Sequence, residues 1–152
     1  WWLGLLGPAV MASAIPLYFA TGNNPLVTLI PALYLYAITP LIDYFMGVDT
    51  HNPPEEVVDE MAADRYYRAI VHLFIPVSIS VFLAYVWFVG TQTLPWWSII
   101  ALIIGIGGAS GGVMTMTHEL GHKNNKWDRL HARIGNMIFG YGHFNIEHNL
   151  NN

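Results

Sequence analysis

The 152-residue sequence predicts an all-α integral membrane fold with four transmembrane helices. Three observations lead there. Hydrophobic residues make up 54% of the chain and charged residues 11%, against about 25% charged in ordinary soluble domains. Four apolar stretches are long enough to cross a bilayer, for which roughly 20 residues are needed. All six Lys and Arg fall in two places: Arg65 and Arg68 between spans two and three, and Lys123, Lys126, Arg129 and Arg133 after span four. Regions two spans apart share one side of the membrane, and the positive-inside rule makes that side cytoplasmic.

The first span covers residues 1–20 and ends at the turn Thr21-Gly22-Asn23-Asn24-Pro25. The second covers 26–47 and the third 69–90, after which Thr91-Gln92-Thr93-Leu94-Pro95 turns the chain back. The fourth covers 96–118, opens on Trp96-Trp97 and continues as helix through Thr117 to Lys123. Those 28 residues make about 42 Å of helix at 1.5 Å per residue. That exceeds the roughly 30 Å hydrocarbon core, so the far end stands at or beyond one interface. Pro16, Pro31, Pro40 and Pro76 lie inside the spans, where neighbouring helices re-satisfy the carbonyls a proline frees. The cytoplasmic loop 47–68 holds six of the ten acids, and Asn52-Pro53-Pro54-Glu55-Glu56 opens a short acidic helix. The segment 123–152 is cytoplasmic and interfacial. Its stretch Trp127 to Ile134 sets apolar residues at helical spacing among basic ones, as suits a helix lying in the interface. The chain carries neither a Met start nor a terminating signal and reads as a single transmembrane domain fragment, 1–152.

The absence of Cys excludes disulfides and thiolate metal sites, leaving seven His and ten carboxylates as metal ligands. A net charge of -4 argues against nucleic acid as a partner. Five of the seven His lie between residues 118 and 148. In His118-Glu119-Leu120-Gly121-His122-Lys123 the two histidines stand at i and i+4, on one face of a helix, where two imidazoles can converge on one metal. Ionisable residues at the end of a membrane helix point to function. The second cluster is Tyr141-Gly142-His143-Phe144-Asn145-Ile146-Glu147-His148-Asn149, whose His148 lies thirty residues after His118. Imidazole suits iron, copper and zinc.

Candidates for partners behind the ligand histidines are Glu119, Glu147, Asp43 and His143; Asp43 reads equally as an interfacial cap. Gly105, Gly107, Gly108, Gly111 and Gly112 lie on span four above the site. The pairs Gly107-Gly111 and Gly108-Gly112 fit small-xxx-small helix packing. Their missing side chains also leave open space beside the helix, with Gly108, Gly111, Met114 and Thr115 on span four and Leu33, Leu35 and Tyr36 on span two as candidates for lining a channel to the site. His72 reads as a hydrogen-bonding interfacial residue, and His51 and His131 as solvent-exposed.

The HELGHK and YGHFNIEHN motifs, with the upstream block PLIDYFMG…NPPEEVV…DRYYR, resemble membrane-bound alkane 1-monooxygenase of the AlkB type, within the wider class of histidine-box membrane hydroxylases and desaturases. The resemblance runs in register from about Ala37 to Asn149, with the first two spans fitting the family's first hairpin. It implies a six-helix bundle of which this chain supplies four helices, in a bacterial inner membrane with the active site facing the cytoplasm. It implies a non-haem centre of two iron ions held by histidines. The activity it implies is O2-dependent terminal hydroxylation of medium-chain n-alkanes to 1-alkanols, with electrons from rubredoxin and its reductase. His118 and His122 match the first histidine box, and His148 the first His of the second, which normally reads EHNxGHH. After His148 this sequence reads Asn149-Leu150-Asn151-Asn152, so Asn152 stands at the next histidine position and three of the expected ligands are present. Two further readings share the motif. An intramembrane HExxH zinc metalloprotease would use Glu119 as general base. A related membrane fatty-acyl desaturase or aryl-methyl hydroxylase would use the same site with a different channel.

Overall fold

A computed structural model of the chain describes residues 2–47, 54–123 and 125–143. Among these residues every regular element is helical. Helix α1 (Leu6–Ala20) is preceded by a 3-10 turn, Trp2–Leu5. The second span, α2 (Pro25–Met46), is helical throughout but changes its winding three times. Then come the acidic helix α3 (Glu55–Ala63), the long helices α4 (Arg65–Thr91) and α5 (Trp96–Gly121), and the amphipathic α6 (Lys126–Ile138). Helices α2, α4 and α5 are long and apolar enough to cross a membrane, while α1 is apolar and shorter. This all-α membrane architecture is the predicted one, and the acidic helix and the helix after Lys123 form where the sequence places them.

Local chemistry sets the boundaries. Gly22 and Asn23 both adopt positive φ, 70° and 65°, the left-handed geometry that ends a helix. Asn24 then caps α2, its Oδ1 accepting from the Leu26 N–H at 3.1 Å. Asp64 caps α4 through the Tyr66 N–H at 2.6 Å, and Asn125 caps α6 through the Trp127 N–H at 3.0 Å. Gly47, at φ 69°, terminates α2.

The winding changes in α2 follow its prolines. Pro25 opens a 3-10 stretch, Pro25–Leu29, and Pro31 sits in the first turn of the α-helical stretch that follows. Pro40 lacks the N–H that would bond to the carbonyl four residues back, and its ring crowds that carbonyl. The chain responds with a π turn over Tyr34–Ile38. The Thr39 N–H and its Oγ1–H both donate to the Tyr34 carbonyl, the hydroxyl at 2.8 Å.

Two buried clusters hold the bundle. Met11, Ala14, Tyr18, Tyr85, Phe88, Leu102 and Ile106 join α1, α4 and α5. There Tyr18 meets Phe88 edge-to-face at 4.9 Å, and Tyr85 Oη–H donates to the Met11 carbonyl at 2.6 Å. At the other end Ile75, Leu120 and Ala132 join α4, α5 and α6.

The close approach between α2 and α5 uses one glycine of the expected pairs, Gly108, together with Gly105. A Cβ on Gly105 would stand 2.6 Å from the Ala32 nitrogen and 2.8 Å from the Pro31 carbonyl carbon, and one on Gly108 would collide with the Tyr36 hydroxyl and Leu35. At Gly107, Gly111 and Gly112 a Cβ would meet nothing within 4 Å. Successive residues on a helix are 100° apart, so positions 105 and 108 share the face that meets α2, while 107 and 111 face away. Replacing Gly105 by Ala is expected to cost about 1–3 kcal/mol, since rigid backbone lies opposite. Thermal denaturation in detergent should show a lower midpoint for Gly105→Ala and an unchanged one for Gly107→Ala.

Candidate functional site

His118 and His122 occupy the last turn of α5 and its C-terminal cap. Their Nε2 atoms lie 3.2 Å apart and their rings meet edge-on at 4.8 Å. Two imidazole nitrogens at about 2.1 Å from one ion stand about 3.0 Å apart at a right angle and about 3.4 Å apart in a tetrahedron. The observed separation falls between these values, so the pair fits adjacent positions on one metal ion. No third carboxylate or imidazole joins them among the described residues. His148 and Glu147, and also His51, lie outside the described residues.

The surroundings of the pair come from α5 and α6. Val113, Thr117 and Leu120 face inward and are buried, while Gly111, Met114, Thr115 and Met116 are exposed. His118 is half-buried and His122 exposed. The histidines therefore stand on a face of α5 that continues upward through Met114, Thr115 and Gly111 and that no described helix covers. Just inside, Thr117 Oγ1 lies 2.6 Å from Asn136 Oδ1, with both residues almost fully buried, at 0% and 2% exposure. Gly135 lets the α6 backbone close on this point, because a Cβ there would collide with the Thr117 methyl. A second polar link lies further out: Asp128 of α6 is buried and takes Arg68 at 3.2 and 3.3 Å and His72 at 2.8 Å, both from α4.

Above the pair is a cavity of about 260 Å³ between α1, α2, α4 and α5. Its walls are apolar, with Met11, Phe74, Phe82, Ile106, Val113 and Phe139 prominent. It reaches exposed backbone at Gly4 and Gly112. Val113, at its lower end, precedes His118 by five residues, about 7.5 Å of helical rise.

The structure thus divides the candidates drawn from the sequence. Leu35 and Gly108 line the cavity. Leu33 and Tyr36 of α2 are exposed, as are Gly111, Met114 and Thr115 of α5. Asp43 is exposed in the last turn of α2, Glu119 is exposed on α5, and His143 is exposed with its ring 4.8 Å from that of Tyr141. His131 departs from the exposed position expected of it. It is half-buried, its Nδ1 is 2.9 Å from the Trp127 carbonyl, and its ring abuts His72 at 4.6 Å, because α6 turns that side toward α4. Sequence reasoning passed over Thr117, Asn136 and Asp128. The available signal was their spacing: 128, 132, 135 and 136 form one helical stripe of polar and small residues.

A membrane protein with paired helix-end histidines beside an apolar cavity belongs to the class of histidine-bearing membrane proteins. Comparison with known proteins narrows this. No family model matches the chain. The chain is 40% identical to alkane 1-monooxygenase of Pseudomonas putida over 149 residues, which are 98% of this chain and 37% of that protein. It is likewise 40% identical to alkane 1-monooxygenase of Ectopseudomonas oleovorans, and 37% identical to alkane 1-monooxygenase 1 of Alcanivorax borkumensis, with the same coverage. Over the segment aligned the chain belongs to the alkane 1-monooxygenase family, and it spans a little over a third of the length of these relatives.

Thr117→Val keeps the shape of the side chain and removes the hydroxyl that Asn136 meets. Leaving a buried amide oxygen without its donor costs about 1–3 kcal/mol. The expected result is a lower denaturation midpoint for Thr117→Val, with Thr115→Val, on the exposed face, unchanged.

Proposed function

We propose that the protein of which this chain is part hydroxylates the terminal methyl group of medium-chain n-alkanes, using O2 and electrons from rubredoxin and its reductase. The observation that carries this reading is the convergence of His118 and His122 Nε2 at 3.2 Å below an apolar cavity, in a chain related to alkane 1-monooxygenases over 98% of its length.

The residues suit the task. An alkane has no polar handle, so it must arrive from lipid and be placed by shape, as an apolar cavity between membrane helices allows. Phe74, Phe82 and Phe139 keep water from the chain it holds. His118, His122 and His148 would hold iron, with Glu119, Glu147, Asp43 and His143 as candidate partners of the ligand imidazoles. Two bound iron ions would supply the reductive activation of O2. The uncovered face of α5, from Gly111 to His122, offers the remaining helices of an expected six-helix bundle a place to pack and bring further ligands. The clustering of Lys and Arg supports an inner-membrane orientation with this end in the cytoplasm.

Replacing His118 by Ala in the whole protein is expected to lower bound iron and to abolish rubredoxin-supported octane hydroxylation. Metal content and 1-octanol formation measure the two separately. Zinc in place of iron in the native protein, or unchanged turnover in the variant, would refute the assignment. Gly112 offers a test of the cavity, since a side chain there meets open space. Gly112→Leu is expected to reduce turnover of longer alkanes more than of shorter ones in direct competition, and an equal effect on both would remove the cavity from the reading.

A further inference from the structure

We propose that the protein binds one anionic phospholipid beside the histidine pair. Its phosphate would sit in the cleft between the first turns of α4 and α6, and its acyl chains along the outer face of α6. This inference is independent of the reaction proposed above.

The cleft measures about 520 Å³ and is walled by Arg65, Arg68, His72, Asn125, Trp127 and His131. Its donors are arranged for an anion. Arg68 reaches Asp128 through Nη2 alone, and a guanidinium carries five N–H donors, so Nη1 and Nε remain. Arg65 is exposed at the lip. Asn125 uses its side-chain oxygen to cap α6 and keeps its amide NH2. Trp127 adds an indole N–H. The imidazoles shape the wall: His72 Nε2 faces Asp128 and His131 Nδ1 faces the Trp127 carbonyl. Among the described residues, Asp128, whose side chain is 7% exposed, lies beneath Arg68, and Asp64 caps α4. Asp128 balances one guanidinium, and the cleft opens on the other.

A second observation identifies the occupant as a lipid. Trp127, Leu130, Ile134 and Met137 are 66%, 42%, 41% and 68% exposed. Their spacing of three, four and three residues makes one apolar stripe along α6. Stripe and cleft meet at Trp127, which belongs to both. A free anion would use the cleft and leave the stripe bare, whereas a phospholipid uses both. The cleft also lies at the first turn of α4, one end of a helix long and apolar enough to cross a membrane, and basic pockets between membrane helices bind anionic headgroups.

The test is stepwise delipidation of the detergent-extracted protein, with retained lipid counted by native mass spectrometry. Phosphatidylglycerol, phosphatidylcholine of the same chain composition, and inorganic phosphate are the probes. Retention of one phosphatidylglycerol per protein in preference to phosphatidylcholine is expected. Arg65→Gln should weaken that binding about fivefold, the effect of one basic residue at a membrane surface, and Trp127→Ala should weaken it as well. Arg133→Gln, exposed and outside the cleft, should leave it unchanged. Equal retention of the two lipids, or no effect of Arg65→Gln, overturns the proposal. Displacement of the lipid by millimolar inorganic phosphate assigns the cleft to a soluble anion and overturns it too.

Discussion

The histidine end of the molecule depends on one buried contact, the meeting of Thr117 with Asn136 across Gly135. A surface helix such as α6 has little reason to stay against a membrane bundle, because its apolar stripe faces outward. Hydrophobic burial alone would let it slide. The Asn136 amide oxygen, removed from water, meets the Thr117 hydroxyl there, and an unpaired buried polar group is costly. The contact therefore fixes where α6 stands along α5. It does so one residue before His118, so the start of the histidine turn inherits that position. Asp128, eight residues before Asn136 and two turns away, fixes the other end of α6 against α4 through Arg68 and His72.

The bundle above is held differently. Between membrane helices little is gained by moving apolar surface from lipid to protein, so close packing decides. Gly105 and Gly108 let α5 touch the backbone and side chains of α2 directly, and the aromatic cluster of Tyr18, Tyr85 and Phe88 ties α1 to α4. Between these tight contacts a cavity remains, walled by residues that pack to either side of it. The lower end of the molecule is thus specified by polar pairs and the upper by shape. The histidines lie at the boundary between the two.

The long apolar helices were legible in the sequence because uninterrupted apolar stretches of that length mark them directly. The histidine pair was legible because i and i+4 on a helix meet wherever that helix lies. What escaped depends on which face meets which neighbour. The five glycines between positions 105 and 112 of α5 look alike in sequence, yet of these only Gly105 and Gly108 meet α2. Asp128 sits among basic residues in Trp127-Asp128-Arg129 and reads as solvated, because its partner Arg68 is sixty residues away. The inward stripe of α6 is Asp128, Ala132, Gly135 and Asn136, and hydrophobic periodicity cannot single out a buried face built of polar and small residues. His131 followed the same course.

The π turn at Tyr34–Ile38 has a consequence for how such a chain can vary. A single π turn holds one residue more than an α-helical turn at the same place. Deleting one residue there would restore regular winding with little change of direction, because the π turn spends its extra residue on about the same rotation as an α-helical turn. Pro31 would still face Gly105, and what would go is the doubled donation from Thr39 to the Tyr34 carbonyl. The span can therefore lose a residue at Tyr34–Ile38, and nowhere else along its contact with α5, without breaking its fit to that helix.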